Sequence, residues 1–305
     1  MAETTEPGRE SWRILVFTNM PGGVVFTLVD EVVGALGHRV VGVVTTPGPR
    51  RRRSSSYLEV VAAAPPGTDV LVSNHPERWA AMLAPLRPDL IISGGFPWRL
   101  PADVLALPRL GAINFHDALL PRHRGPNATG WAFRLGDRET GITIHRVTPA
   151  FDAGPILAQA RVPISDDDTL ATLLPQFTAR MPDLLRQALA RVARGEPGEP
   201  QDESQATEAG LFEEAWRTID WRQPARTVHN QVRSWVGLRD IPAGAFGEVD
   251  GELLHVTRTR LPADPSAWAP APPGTLLHRE AGRLVVQCSD GPLEVLAWQP
   301  VCQDA

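Results

Sequence analysis

Three residues of this 305-residue chain carry the types and spacing that chemistry needs: Asn114, His116 and Asp152. Asn114 and His116 stand two apart at the end of the apolar run 111–115. In an extended strand, two such side chains point to the same face. A carboxamide beside an imidazole can donate hydrogen bonds to an oxygen that gains negative charge, and the imidazole can also move a proton. Asp152 lies in an Asp-Ala-Gly turn between two strand-like runs. A carboxylate there can orient His116 and favour its imidazolium form.

Other candidates surround these three. The loop Arg122-His123-Arg124-Gly125-Pro126 offers cations and a glycine, which suit a bound anion or a close backbone contact. Gly22 and Gly23 follow the first apolar run, where glycine lets the backbone either turn or approach a ligand. Residues 50–53 are four arginines followed by serines, readable as a solvated loop or as a clamp for a phosphate-bearing acceptor. The dinucleotide signature GxGxxG, the phosphate loop GxxxxGK[ST] and the CxxC metal spacing are all absent from the sequence. No metal site is therefore expected.

The elements that must position these residues are legible in outline. The run 13–17 (RILVF) predicts a buried strand, 24–36 a helix and 39–45 a second strand. Strand–loop–helix–strand within about thirty residues is a βαβ unit with a parallel pair. Helices are predicted over 57–64, 77–86 and 127–135, and strands over 69–72, 89–93 and 111–115. The runs 142–147 and 156–162 read as a strand pair, and 169–192 as a long helix that Pro175 and Pro182 should bend or divide. Residues 194–210 turn rich in Gly, Pro, Gln, Asp, Glu and Ser, the composition of a linker. A short helix over 224–235 and strand-like runs at 245–249, 253–258, 274–277, 284–287 and 293–298 predict a small barrel.

The expected class is thus α/β: a Rossmann-like domain with a parallel-rich sheet over 13–193, a linker over 194–210, and a small OB-like β-barrel domain over 211–305. Residues 1–12 are expected to be disordered. Net charge is −5, which argues against a general nucleic-acid binder, and DNA is not expected as a partner. The chain has no lysine, so any grip on phosphate must use arginine. Its two cysteines, Cys288 and Cys302, read as reduced thiols. The N-terminus lacks the basic start and apolar run of a signal peptide, and no apolar stretch reaches the ~18–20 residues of a membrane helix. A cytoplasmic location follows as the expectation, with no membrane partner.

The ordered motifs together are more specific than any one residue. The stretches NFHDALLPRHRG, GWAFRLGDRETGITIHRV and FDAGPIL closely resemble the 10-formyltetrahydrofolate-dependent formyltransferase family, which includes methionyl-tRNA, glycinamide ribonucleotide and nucleotide-sugar enzymes. Asn114, His116, Leu119, Leu120, Pro121, Arg124, Gly125, Trp131, Thr140, Gly141, Thr143, Asp152, Gly154 and Ile156 occupy its signature positions. RPDLIISGGFPWRLP resembles the strand and loop lining the family's pterin pocket, and IDWRQPARTVHNQVRSWVG resembles the start of the C-terminal domain of the tRNA enzymes. Three stretches depart from the pattern. Ala118 stands where serine is common, and the loop 19–23 and the stretch 236–245 differ from those of the tRNA enzymes.

The resemblance implies a formyl transfer from 10-formyltetrahydrofolate, the co-substrate, to an amine. Asn114, His116 and Asp152 would be the catalytic groups. Phe96, Pro97, Trp98, Ala118, Leu119, Leu120, Pro121 and Asp152 would bind the folate, and Arg124, Gly22 and Gly23 the acceptor. The altered loops and the balanced charge of the last domain favour a small-molecule amine, such as a natural-product intermediate or an amino sugar. The alternatives are methionyl-tRNA, hydrolysis of the same folate by water, and folate binding without turnover. Oligomeric state is not legible.

Overall fold

The apolar run at Arg13 forms strand β1 (Arg13–Thr18), with five of its six residues buried. Two glycines in the left-handed region, Gly22 and Gly23, then turn the chain into helix α1 (Val24–Ala35). The buried positions of α1 (Val25, Phe26, Leu28, Val29, Val32 and Val33) recur at helical spacing and define one apolar face. Strand β2 (Arg39–Thr45) returns parallel to β1, which completes the predicted βαβ unit. Helix α2 (Ser56–Ala63), strand β3 (Val70–Val72), helix α3 (Pro76–Leu83), strand β4 (Leu90–Gly94), the short helix α4 (Ala102–Leu105) and strand β5 (Ala112–His116) follow. Helix α5 (Ala128–Leu135) precedes strands β6 (Glu139–Arg146) and β7 (Ile156–Pro163), and then helix α6 (Leu170–Ala193).

The computed structural model describes residues 10–48, 55–236 and 243–301. Residues 1–9 of the expected disordered N-terminus, the arginine run 50–53, the centre of the altered stretch at 237–242 and Cys302 lie outside the described residues. The chain divides into two compact units. One comprises the chain up to His116 with Ile142–Ala160 and Ala179–Asp202; the other comprises Asp117–Gly141, Arg161–Thr178 and the chain from Glu203.

The first unit is built on the seven-stranded sheet, in the order β3-β2-β1-β4-β5-β6-β7. Strands β3, β2, β1, β4 and β5 run parallel to their neighbours, and β6 is antiparallel to β5. Strand order reverses between β1 and β4, and in such sheets ligands bind beyond the carboxyl ends of the strands at that point. One face of the sheet carries Leu15, Phe17, Ile91 and Ala112 against Trp79, Leu83 and Val104. Phe17, Ser93, Asn114 and His145 form one register row across β1, β4, β5 and β6. Along that row the sheet turns from apolar core to polar side chains, so Asn114 extends the same face as Phe17.

Helix α6 departs from expectation. It runs as one helix of 24 residues through Pro175 and Pro182, undivided. Its apolar stripe, Leu173, Phe177, Met181, Leu184, Leu185, Ala188, Leu189 and Val192, is buried along its whole length. Burial of that stripe outweighs the backbone hydrogen bonds that two prolines remove, each substitution costing about 3 kcal/mol in an isolated helix.

In the second unit, helix α7 (Ala225–Ser234) precedes strands β8 (Ala245–Val249), β9 (Glu252–Arg260), β10 (Leu276–Glu280), β11 (Arg283–Gln287) and β12 (Pro292–Pro300). These form a five-stranded sheet in the order β10-β11-β12-β9-β8, with every neighbouring pair antiparallel. Its core holds Trp221, Val228, Val232, Trp235, Leu254, Val256, Leu284 and Val295, with α7 packed on β9 and α5. Cys288 is buried there, and burial pushes its thiol up to about 12, so it stays protonated and unreactive. No helix among the described residues is long and apolar enough to cross a membrane.

Candidate active site

Strand β5 ends on the two residues that the sequence singles out. The register pairs Asn114 with His145, and His116 with Thr143, on antiparallel β6. Side chains directly opposite each other on one sheet face are within reach. The Asn114 Nδ2 and the His145 Nε2 lie 3.2 Å apart. The other ring nitrogen of His145, Nδ1, is 2.8 Å from the carbonyl oxygen of Arg146 and must carry a hydrogen to bond it. In the neutral ring, Nε2 is then the acceptor for the Asn114 amide. That bond orients the amide and leaves its second N–H for another acceptor.

Asp152 reaches the pair from the loop between β6 and β7. Its Oδ2 lies 3.6 Å from His116 Nδ1 and its Oδ1 lies 3.5 Å from His145 Nε2. Both His116 and Asp152 are nearly buried, with side-chain exposures of 8 % and 10 %. One carboxylate therefore faces two imidazoles, whose rings stand edge to face with centroids 6.3 Å apart. Holding it there takes an unusual backbone. Asp152 has φ +49°, in the left-handed region that side chains disfavour. Two residues on, a Cβ at Gly154 would stand far inside contact distance of the Arg146 carbonyl oxygen, so only glycine fits. The Arg146 N–H donates to the Pro155 oxygen at 2.9 Å and closes the loop onto β6.

The remaining candidates take other places. Phe96, Pro97 and Trp98 follow β4 at its carboxyl end, in the same unit as Asn114. The rings of Phe96 and Trp98 pack on the core, at 5.2 Å from Phe17 and 6.2 Å from Trp79 respectively. Trp98 Nε1 is nevertheless a buried donor without a partner. Gly23 packs against Ala63 of α2, closer than any Cβ would allow, and the Gly22 N–H donates to Glu59 at 2.6 Å. Both glycines thus have structural reasons of their own.

Ala118, Leu119, Leu120, Pro121 and Arg124 belong to the second unit. Ala118 is fully buried among Ala128 and Ala209, which accounts for its small side chain. Arg124 is buried and forms a two-pronged ion pair with Glu203, at 2.8 and 2.9 Å. Asp137, between α5 and β6, accepts from His123 and Arg122 of the same loop, which hold its carboxyl below the usual range against the opposing effect of burial. Residues 203–210 line this loop: Thr207 N–H donates to the Pro121 oxygen, Arg124 N–H donates to the Thr207 oxygen, and Ala209 N–H donates to the Arg124 oxygen.

His145 is not among the candidates that the sequence singles out, because a lone histidine within a strand is usually structural. The signal that finds it is the antiparallel pairing of β6 on β5, which the sequence does not announce. Among the described residues, no group of three or more His, Cys, Asp or Glu side chains could hold a metal.

Comparison with known proteins identifies the family. The formyl transferase family model matches residues 13–189, and its C-terminal domain model matches residues 213–305. The chain belongs to the formyl transferase family. A methionyl-tRNA formyltransferase from Roseiflexus castenholzii is 36 % identical over 292 residues, covering 94 % of this chain and 91 % of the relative. Among solved structures, HypX from Aquifex aeolicus in complex with tetrahydrofolic acid matches with a TM-score of 0.68 at 20 % identity. That match covers 97 % of this chain but 45 % of HypX, so the chain spans less than half of that protein. WlaRD, a sugar 3N-formyltransferase, matches with a TM-score of 0.63 at 12 % identity, covering 97 % of this chain and all of that one. These two structural likenesses bear on the fold alone. The chain is a folate-dependent formyltransferase, with 10-formyltetrahydrofolate as its formyl donor.

Proposed function

We propose that this formyltransferase acts on the α-amino group of methionyl-tRNA, with Asn114, His116 and Asp152 as its catalytic residues. The observation that carries the acceptor is the 36 % identity to a methionyl-tRNA formyltransferase across both domains of the chain. The altered loops had favoured a small-molecule amine. Most of one, 236–245, lies outside the described residues, and the other is pinned internally: Asn19 accepts from Thr45 and Thr46 and donates to Ser56. The identity over the whole length outweighs those local departures. A domain of residues 211–305 also supplies more surface than a small amine needs.

The co-substrate brings an electrophilic formyl carbon, and attack by the neutral amine places negative charge on the formyl oxygen. Asn114 donates its second amide N–H to that oxygen, while His145 holds the first. His116 donates a ring N–H beside it. One preorganised donor of this kind is worth about 2.7–4 kcal/mol in the transition state. Asp152 holds the His116 ring and accepts the proton that the amine sheds, directly or through water; the adduct then collapses, the bond from the formyl carbon to the folate nitrogen breaks, and tetrahydrofolate leaves with that proton. For the folate, the unpartnered Trp98 Nε1 supports a polar ring at the Phe96-Pro97-Trp98 loop, since buried donors are almost always satisfied. Ala118, Leu119, Leu120 and Pro121 are assigned to the same ligand, and Arg124, Gly22 and Gly23 to the acceptor side.

We assign residues 13–193 to catalysis and 211–305 to the acceptor, and the reading implies work in the cytoplasm, where charged tRNA is made. The test is incubation with 10-formyltetrahydrofolate and, separately, methionine-charged initiator tRNA, the uncharged tRNA and a nucleotide-linked amino sugar. Formylated methionyl-tRNA only with the charged species is the expected result. A formylated sugar would restore the small-molecule reading, and formate released without any acceptor would make the protein a hydrolase.

A further inference from the structure

The segment after α6 has the composition of a linker, yet part of it is bonded to the catalytic loop. The Gln201 side-chain amide donates from Nε2 to two carbonyl oxygens at once, those of Asp152 and Gly154, each at 2.8 Å. Two residues earlier the backbones of Glu199 and Ile156 exchange both hydrogen bonds, N–H to O, each at 2.8 Å. Immediately before Glu199, Gly198 has φ +100°, and a Cβ there would meet the Ile156 carbonyl oxygen at 2.8 Å. Glycine at this position is what allows the close approach. Residues 198–201 therefore run as a strap along the loop that carries Asp152, and all of these residues belong to the first unit.

We propose that Gln201 is a positioning residue: its amide fixes the backbone on both sides of the catalytic turn and so aims the Asp152 carboxylate at His116 and His145. The physical need is local. Asp152 occupies the left-handed region, a conformation that persists only where its surroundings over-determine it. A carbonyl on either side of such a turn is free to rotate unless a donor holds it. Gln201 supplies that donor to both, with one nitrogen. Its amide lies on the backbone side of the turn, whereas the carboxylate projects to the imidazoles, so Gln201 acts through Asp152 and does not touch the reacting atoms.

This inference rests on the catalytic role assigned to Asp152. Its test compares wild type with Gln201→Glu, which keeps length and shape but replaces the donating nitrogen with an acceptor, and with Gln201→Leu. The expected result is a kcat lower by roughly ten- to a hundred-fold in both variants, since displacement by about an ångström costs that much. KM for methionyl-tRNA should stay within about two-fold, because uniform binding is untouched. The melting temperature should stay close to that of wild type. Hydrogen–deuterium exchange should accelerate at the amides of Asp152, Ala153, Gly154 and Ile156 and not in strands β1 and β4. Wild-type kcat in Gln201→Glu would overturn the proposal. So would unchanged exchange at those amides, or acceleration spread evenly over the whole sheet, which would mark a merely structural role. If the wild-type protein formylates no tRNA, the functional reading fails, while the exchange measurement still judges the strap.

Discussion

Acidification should weaken the C-terminal part of the molecule through one residue, His229. Its ring is buried on α7. Nε2 is 2.7 Å from the Asp166 carbonyl oxygen and must donate to it, while Nδ1, at 2.9 Å from Thr259 Oγ1, accepts. Burial first, and then the neighbouring Arg233 guanidinium, push its pKa down from 6.5 to about 4. The unfolded chain therefore binds more protons than the folded one between those two values. Stability is fully present above about pH 6.5 and is lost as pH falls toward 4. At about 1.4 kcal/mol per pH unit, the full loss is about 3 kcal/mol, and about 2 kcal/mol of it has appeared by pH 5. Asp166 does not confuse the window. Hydrogen bonding to Arg226 holds its carboxyl down at about 2, so its contribution changes only below its ordinary value of 3.8. Urea unfolding followed by tryptophan fluorescence, at about pH 7.5 and about pH 5, measures the difference, with Trp221 and Trp235 reporting from the C-terminal core. His229→Gln keeps a donor for Asp166 but cannot take up a proton. It should be less stable than wild type at pH 7.5 and lose most of the slope. Equal wild-type stability at the two pH values, or a full slope in His229→Gln, would refute the reasoning.

Two further outcomes follow from the site. Asn114→Ala and His116→Ala should each lower formyl transfer by roughly a hundred- to a thousand-fold, the worth of one oxyanion donor, with melting temperatures near wild type. Wild-type rates in both would remove the mechanism. Gly154→Ala should fail to fold or lose activity outright, because the new methyl group overlaps the Arg146 carbonyl oxygen. An active and stable Gly154→Ala, assayed beside the wild type, would show that the turn is less constrained than its geometry indicates.

Much of the fold was legible. Apolar runs of β-formers marked β1, β2, β4 and β5, and the helical spacing of α1 and α5 was plain, because burial on one face selects residue type with a fixed period. Asn114 and His116 were legible for the same reason, since a spacing of two in a strand already places them together. The continuity of α6 was not legible. Proline is a local signal, and the burial that overrides it along residues 173–192 is a property of the packed helix.

The sequence by itself determined the family, the parallel βαβ core and three of the four polar groups at the site. Only the tertiary structure decided the fourth. His145 enters because β6 runs antiparallel on β5, with a register that sets it opposite Asn114. Only the structure decided that Asp152, 36 residues beyond His116 in the chain, faces both imidazoles. It likewise turned part of an apparent linker into a strap, through Gln201. The physical reason is common to all three. Periodicity and composition record what each residue requires of its immediate neighbours, whereas sheet register, a left-handed turn and a side chain bonded to a distant backbone join residues whose spacing in the chain carries no trace of the contact.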